Sequence, residues 1–180
     1  MMIERDAQQS ETFRWVANSS VFRSALLVCA ILSITAGVGV SAETGTTARI
    51  SDAGDAVEVT YPASYGVPND SIPLYHVGKV RYFSAGIGLE EREATYPAFA
   101  LKLVFVAEGR SFDPMVEVSI TDAKGRAVVT IPKDQVSGPW LFVDLPAGNY
   151  TATAERLGHK VSKQVSVAGK GTKTVYFHWR

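Results

Sequence analysis

From Phe99 onward the chain is cut into seven short apolar-alternating runs, at 99–106, 115–121, 126–131, 139–144, 149–156, 160–167 and 172–179. Turn residues separate them: Glu108-Gly109, Asp122-Ala123-Lys124-Gly125, Pro132-Lys133-Asp134, Pro146-Ala147-Gly148, Leu157-Gly158 and Gly169-Lys170-Gly171. Alternation of period two sends successive side chains to opposite faces of a strand. Short strands closely spaced by turns predict an all-β sandwich. In the second run Val116, Val118 and Ile120 face inward, against Glu117, Ser119 and Thr121. In the last, Val175, Phe177 and Trp179 share a face, against Thr174, Tyr176 and His178.

Leu145-Pro146-Ala147-Gly148-Asn149-Tyr150 reads as a structural turn that delivers a tyrosine into a strand. Pro146 presets φ for the second turn position. Gly148 is expected to adopt a backbone conformation that a side chain would oppose. Tyr150, Ala152 and Ala154 then share a face, and the Tyr150 hydroxyl is expected to return to nearby backbone, as in a tyrosine corner.

Upstream the pattern is thinner. Residues 43–55 are small and polar and read as a flexible lead. Val57, Val59 and Tyr61 alternate with Glu58 and Thr60 in one short strand. Pro62, Gly66, Pro68 and Pro73 make 62–77 a Pro-rich loop. Residues 79–84 alternate again, Gly86-Ile87-Gly88 punctuates, and Leu89 to Ala94 makes one helical turn that Pro97 ends. The expected organisation is a signal or anchor segment at 1–42, an N-terminal extension at 43–77 and a sandwich domain at 78–180.

Residues 24–42 carry no charge and fade from Leu27-Val28 into Gly37-Val38-Gly39-Val40-Ser41-Ala42, with Val40 and Ala42 at −3 and −1 of a cleavage site. That is the secretory pattern, and its length also reaches the lower limit of a membrane span. Cleavage is favoured because the second half is small and Gly-rich. The head before it, with Glu4, Arg5, Asp6, Glu11 and Arg14, is longer and more mixed than a signal's basic head. The expected location is periplasmic or extracellular. The alternative is an inner-membrane anchor with residues 43–180 outside the cytoplasm. Cys29, the chain's one cysteine, follows Val28 near the start of the apolar run, which does not fit lipidation. Beyond residue 42 no disulfide or zinc–thiolate site is available. Residues 1–42 hold three of the 18 basic and three of the 18 acidic residues, leaving 15 of each, interspersed. No basic stripe points to nucleic acid, and no polybasic run points to lipid headgroups, so membrane contact is expected only through the N-terminal segment.

Three segments in order carry a resemblance: Ile120-Thr121-Asp122-Ala123-Lys124-Gly125-Arg126, Gly138-Pro139-Trp140-Leu141, and Leu145 to Tyr150 with Ala154-Glu155. Together they resemble the carboxypeptidase regulatory-like (transthyretin-like) β-sandwich domain, above all the short exported bacterial proteins built on one such domain. The segment Gly86-Ile87-Gly88-Leu89-Glu90-Glu91-Arg92-Glu93 matches one that tends to precede it there. The resemblance covers about residues 78–180. It implies a seven-stranded Greek-key, Ig-like sandwich in the periplasm, and it implies no activity. The fold also hosts a hydrolase of purine breakdown with a Tyr-Arg-Gly-Ser-like tail. This chain ends Tyr176-Phe177-His178-Trp179-Arg180, which departs from that pattern.

Candidate chemistry is sparse. His76, His159 and His178 stand in no metal-ligand spacing, and no metal or cofactor is expected. Glu90, Glu91 and Glu93 read as a solvated helical turn rather than paired catalytic acids. No Gly-x-Ser-x-Gly elbow occurs. Trp140, Tyr150, Tyr176 and Trp179 are the aromatics that a sugar platform would use, with Trp140 expected in the core. Tyr176 and His178, on the outward face, are the surface candidates for contact. The expectation is a non-catalytic module for protein–protein or cell-envelope interaction, through a sheet edge or the 62–77 loop, with an envelope protein or glycan as partner. A carbohydrate-binding module is the first alternative and a small transthyretin-like hydrolase the second.

Overall fold

The period-two runs form strands in the computed structural model, which describes residues 45–107 and 115–179. In chain order the strands are β1 (Thr47–Ile50), β2 (Ala56–Thr60), β3 (Asp70–Pro73), β4 (Tyr75–Val77), β5 (Val80–Ala85), β6 (Leu101–Ala107), β7 (Val116–Asp122), β8 (Ala127–Ile131), β9 (Trp140–Asp144), β10 (Gly148–Arg156), β11 (His159–Val167) and β12 (Lys173–Trp179). A five-residue helix, α1 (Leu89–Glu93), follows β5. β6 to β12 fall on the seven alternating runs. Three sheets result, ordered β1-β2-β3, β12-β6-β9-β5-β4 and β11-β10-β7-β8. Neighbours are antiparallel except β12 and β6, which run parallel from Lys173 beside Leu101 to Trp179 beside Ala107.

The four- and five-stranded sheets face each other across the larger core, giving a sandwich-like body. Val116, Val118, Ile120, Ile131, Ala152, Ala154, Val165 and Val167 enter from one sheet, and Leu101, Leu103, Phe105, Leu141, Val143 and Phe177 from the other. Full burial of each Val, Leu, Ile or Phe side chain among them is worth about 1.5–3 kcal/mol. The two facing sheets contain nine strands, not the seven expected from the runs alone, because β4 and β5 join the five-stranded one.

The expectation for 43–77 needs more correction. Where one strand and a loop were read, four strands form. Ser51 to Asp55 is the turn of the β1–β2 hairpin, held by the Ser51 hydroxyl donating to Asp55 and accepting from the Ala56 amide. The prolines misled because Pro73 closes β3 on a sheet edge, where a missing N–H costs nothing in the ladder. Val57, Val59, Ile72 and Leu74 from this layer bury against Phe83, Ala85, Phe99 and Phe142 in a second core. Phe83 stacks on Phe142 with centroids 4.7 Å apart and meets Phe99 edge-on at 5.0 Å.

The five-stranded sheet is therefore apolar on both faces along β5 and β9. The described residues belong to one compact unit, Ser41–Arg180. No helix among them is long and apolar enough to cross a membrane. The signal or anchor call at 1–42, Cys29 included, lies outside the described residues.

Candidate functional site

The second layer covers only part of the five-stranded sheet. Over β5 and β9 it buries Phe83, Ala85 and Phe142. Over β6 and β12 it stops. Register places Thr174 beside Lys102 and Lys102 beside Phe142, then Tyr176 beside Val104 and Val104 beside Trp140, with His178 beside Val106. Every second residue shares a face, so Lys102, Val104 and Val106 look out with Thr174, Tyr176 and His178. Val104 and Val106 are half-buried, while Tyr176 is 53% exposed. The Tyr176 and His178 rings stack at 6.3 Å. Both surface candidates thus sit on one open strip, and the two valines between them and Trp140 extend it. Sequence reading missed those valines because an outward valine breaks the alternation rule. The cue was the nearly continuous apolar run Leu101 to Val106, which marks a strand with little solvent on either side.

Trp140 is half-buried at the rim of the second core rather than inside the sandwich. The Lys102 ammonium lies 3.2 Å from its ring centroid and 5.1 Å from that of Phe142. Burial draws the Lys102 pKa below the usual lysine value. A groove of about 380 Å³ opens here, walled by Arg92, Tyr96, Lys102, Trp140, Phe142 and Thr174 among others. The Tyr96 hydroxyl is buried, with no hydrogen-bond partner among the described residues. Burial first, then the Glu91 carboxylate, raises the pKa of that phenol far above its ordinary value.

Gly86 to Glu93 braces this groove from behind. Glu91 is buried, not solvated as expected, and its carboxylate accepts from the Gly86 amide at 2.6 Å and the Ile87 amide at 3.3 Å. Arg92 donates through Nε to the Gly86 carbonyl at 2.8 Å. Gly86 has φ +93°, and a Cβ there would meet the Trp140 ring at 3.0 Å. Ser84 ties the adjoining segment down, accepting from the Gly138 amide at 2.9 Å and donating toward the Trp140 carbonyl at 3.1 Å. A Cβ on Gly138 would sit 2.3 Å from the Ala85 carbonyl oxygen, so the two backbones touch. Gly86, Gly138, Ser84 and Glu91 make a joint that fixes Trp140. No protein-family model matches the chain, and no curated protein matches it.

The four aromatics do not converge. Trp179 is buried in the sandwich and donates its indole N–H to the His159 carbonyl at 3.2 Å. Tyr150 belongs to the opposite sheet, where its hydroxyl donates to the Pro146 carbonyl at 2.9 Å. Gly148 acts otherwise than expected. It lacks a left-handed φ, but an added Cβ would meet the Tyr150 ring and hydroxyl at 3.3 Å. It is small because the tyrosine folds over it.

On that opposite sheet a groove of about 710 Å³ runs past Thr121, Asp122, Asn149, Thr151, Gln164 and Ser166. Its one acid is spoken for. The Asp122 carboxylate accepts from the amides of Arg126 and Lys124 at 3.0 and 2.8 Å and from Arg126 Nε at 2.7 Å. The Arg126 amide, the Arg126 guanidinium and then the Lys124 amide hold its pKa below the usual carboxylate range. His76 bonds the Gly54 carbonyl at 2.8 Å. Among the described residues no three His, Cys, Asp or Glu side chains are placed to hold a metal ion.

Proposed function

We propose that the chain is an exported, non-catalytic β-sandwich module that docks a protein partner of the cell envelope on the open half of its middle sheet. One observation carries the reading: Val104, Val106, Tyr176 and His178 form an apolar and aromatic strip beside a covered one. Exposed apolar strips rimmed by polar groups are the usual mark of a protein contact. Branched valines pack against protein side chains, and the Lys102 ammonium already occupies a face of Trp140 that a sugar would need. Export rests on the uncharged run at 24–42.

The finer fold assignment belongs to the same proposal. β6 to β12 are the seven-stranded Greek-key core of the carboxypeptidase regulatory-like type, β5 belongs with them in the domain that spans 78–180, and β1 to β4 are an addition to it. Four crossings between the facing sheets, at β6–β7, β8–β9, β9–β10 and β11–β12, support this.

The test is a photo-crosslinking residue at position 176 in the full chain, with one at position 153 as control. Envelope adducts should appear at 176, fall several-fold at 153, and vanish when Val104→Arg is added. Equal labelling at both positions would overturn the reading. A second reading, glycan binding, draws on the groove lined by Asn149, Thr151 and Gln164, whose neutral amides and hydroxyls suit a polyhydroxyl ligand. A glycan array probed with folded protein tests it, and binding that disappears in Asn149→Ala and Gln164→Ala would favour it.

A further inference from the structure

We infer that the groove beside Trp140 receives an acidic side chain of the docked partner, with Lys102 as its counter-ion. This deepens the protein-docking reading and rests on it. Taking an ammonium out of water is unfavourable unless something replaces the lost solvation. The Trp140 and Phe142 rings replace part of it, at 3.2 and 5.1 Å. No carboxylate among the described residues supplies the rest: Lys102 has no ion-pair partner there, and the lowering of its pKa has burial as its sole cause. Arg92 walls the same groove. It gives Nε to the Gly86 carbonyl, and its terminal amino groups have no partner among the described residues. No acid among the described residues lines the groove beside these two cations, and the nearby Glu91 carboxylate is already held by the Gly86 and Ile87 amides, so the lining is complementary to negative charge.

The walls narrow the class of guest. Ala94, Pro97 and Ala98 lie alongside Tyr96, Trp140 and Phe142, so the anion must arrive on an apolar carrier. Thr174, beside Lys102 in register, adds a neutral hydroxyl. Lys102 and Val104 are successive outward residues of β6, so the groove continues the open strip. An extended segment lying on Val104 and Tyr176 can drop a Glu or Asp side chain onto Lys102. A free phosphate would find the charges but waste the apolar walls.

The experiment follows the Trp140 indole and Val104 amide resonances of the isotope-labelled full chain. The probes are the acetylated, amidated peptide Val-Glu-Val-Tyr, its Gln counterpart and inorganic phosphate. The Glu peptide should bind at least fivefold tighter than the Gln peptide. That preference should vanish in Lys102→Met, persist in Lys102→Arg and shrink with salt. Equal affinity of the two peptides, or a preference that survives Lys102→Met, overturns the inference. Phosphate binding tighter than the Glu peptide also overturns it, in favour of a free-anion site. The Glu–Gln comparison on the wild-type chain needs no variant. If both peptides shift Val104 equally, the docking reading stands and the acidic guest falls. If neither peptide shifts either resonance, both fall.

Discussion

Tyr150 closes over its own turn: its hydroxyl bonds the Pro146 carbonyl, and Gly148 leaves room for the ring. Tyr150→Phe should lower stability by about 1 kcal/mol through that lost bond. Gly148→Ala should cost a similar amount, about 1 kcal/mol, by pushing the ring off its seat. Denaturant midpoints read both, and an unchanged midpoint for Tyr150→Phe would remove the corner from the account. The turn and its tyrosine were legible in the sequence. The role of Gly148 was not, because a contact between residues two apart depends on a rotamer that composition does not encode. Leu157 is a clearer local conflict. It has φ 49° in the two-residue turn it makes with Gly158, and the residue is 67% exposed. A left-handed leucine is strained where asparagine is at ease. Leu157→Asn should therefore raise stability by roughly 0.5–1 kcal/mol, seen as a higher melting temperature. Asp122 gives a pH signature. Its folded pKa is depressed, so its contribution is present above the unfolded carboxylate value and is lost as pH falls through the folded one. Carbon-detected titration should place it below the usual aspartate value, and Asp122→Asn should flatten the acid limb of the stability curve.

At the level of elements, α1 was legible in position but not in purpose. Glutamates are almost never buried unless paired, so three of them in one turn signal solvent. Glu91 departs from this because two backbone amides converge on it, an arrangement set by the positive φ of Gly86 rather than by any residue type. Glu91→Ala should cost about 2 kcal/mol by orphaning those amides. The joint should loosen with it, and the Trp140 fluorescence should shift to the red. β5 and β9 carried a cue that was there to be used. Tyr82-Phe83 and Trp140-Leu141-Phe142-Val143 are unbroken apolar runs, the mark of strands buried on both faces. Such runs require a second cover, and among the described residues 45–74 supply it together with Ala94, Tyr96 and Phe99. Prolines and small polar residues hid it, since an edge strand tolerates both.

At the largest scale, the described residues form three layers with one sheet in the middle. Deleting residues 45–73, which leaves β4 in the middle sheet, should uncover Phe83, Phe99 and Phe142 together, so the remaining sandwich is expected to bind a hydrophobic dye and aggregate on concentration. A monodisperse truncation product with a sharp melting transition would show the outer layer to be dispensable. The parallel pair of β12 and β6 has a different consequence, in time rather than in space. Its partners, Leu101 and Lys173, stand 72 positions apart, the difference of their numbers. Contacts between distant positions are slow to form, and here the intervening chain contributes five strands to the body before the pair can close. Until β12 emerges, β6 has no neighbour on that side and the sandwich has no final wall. The edge of β6 therefore stays unpaired until nearly all of the described strands have been made, so the last step of closure is tied to the end of synthesis.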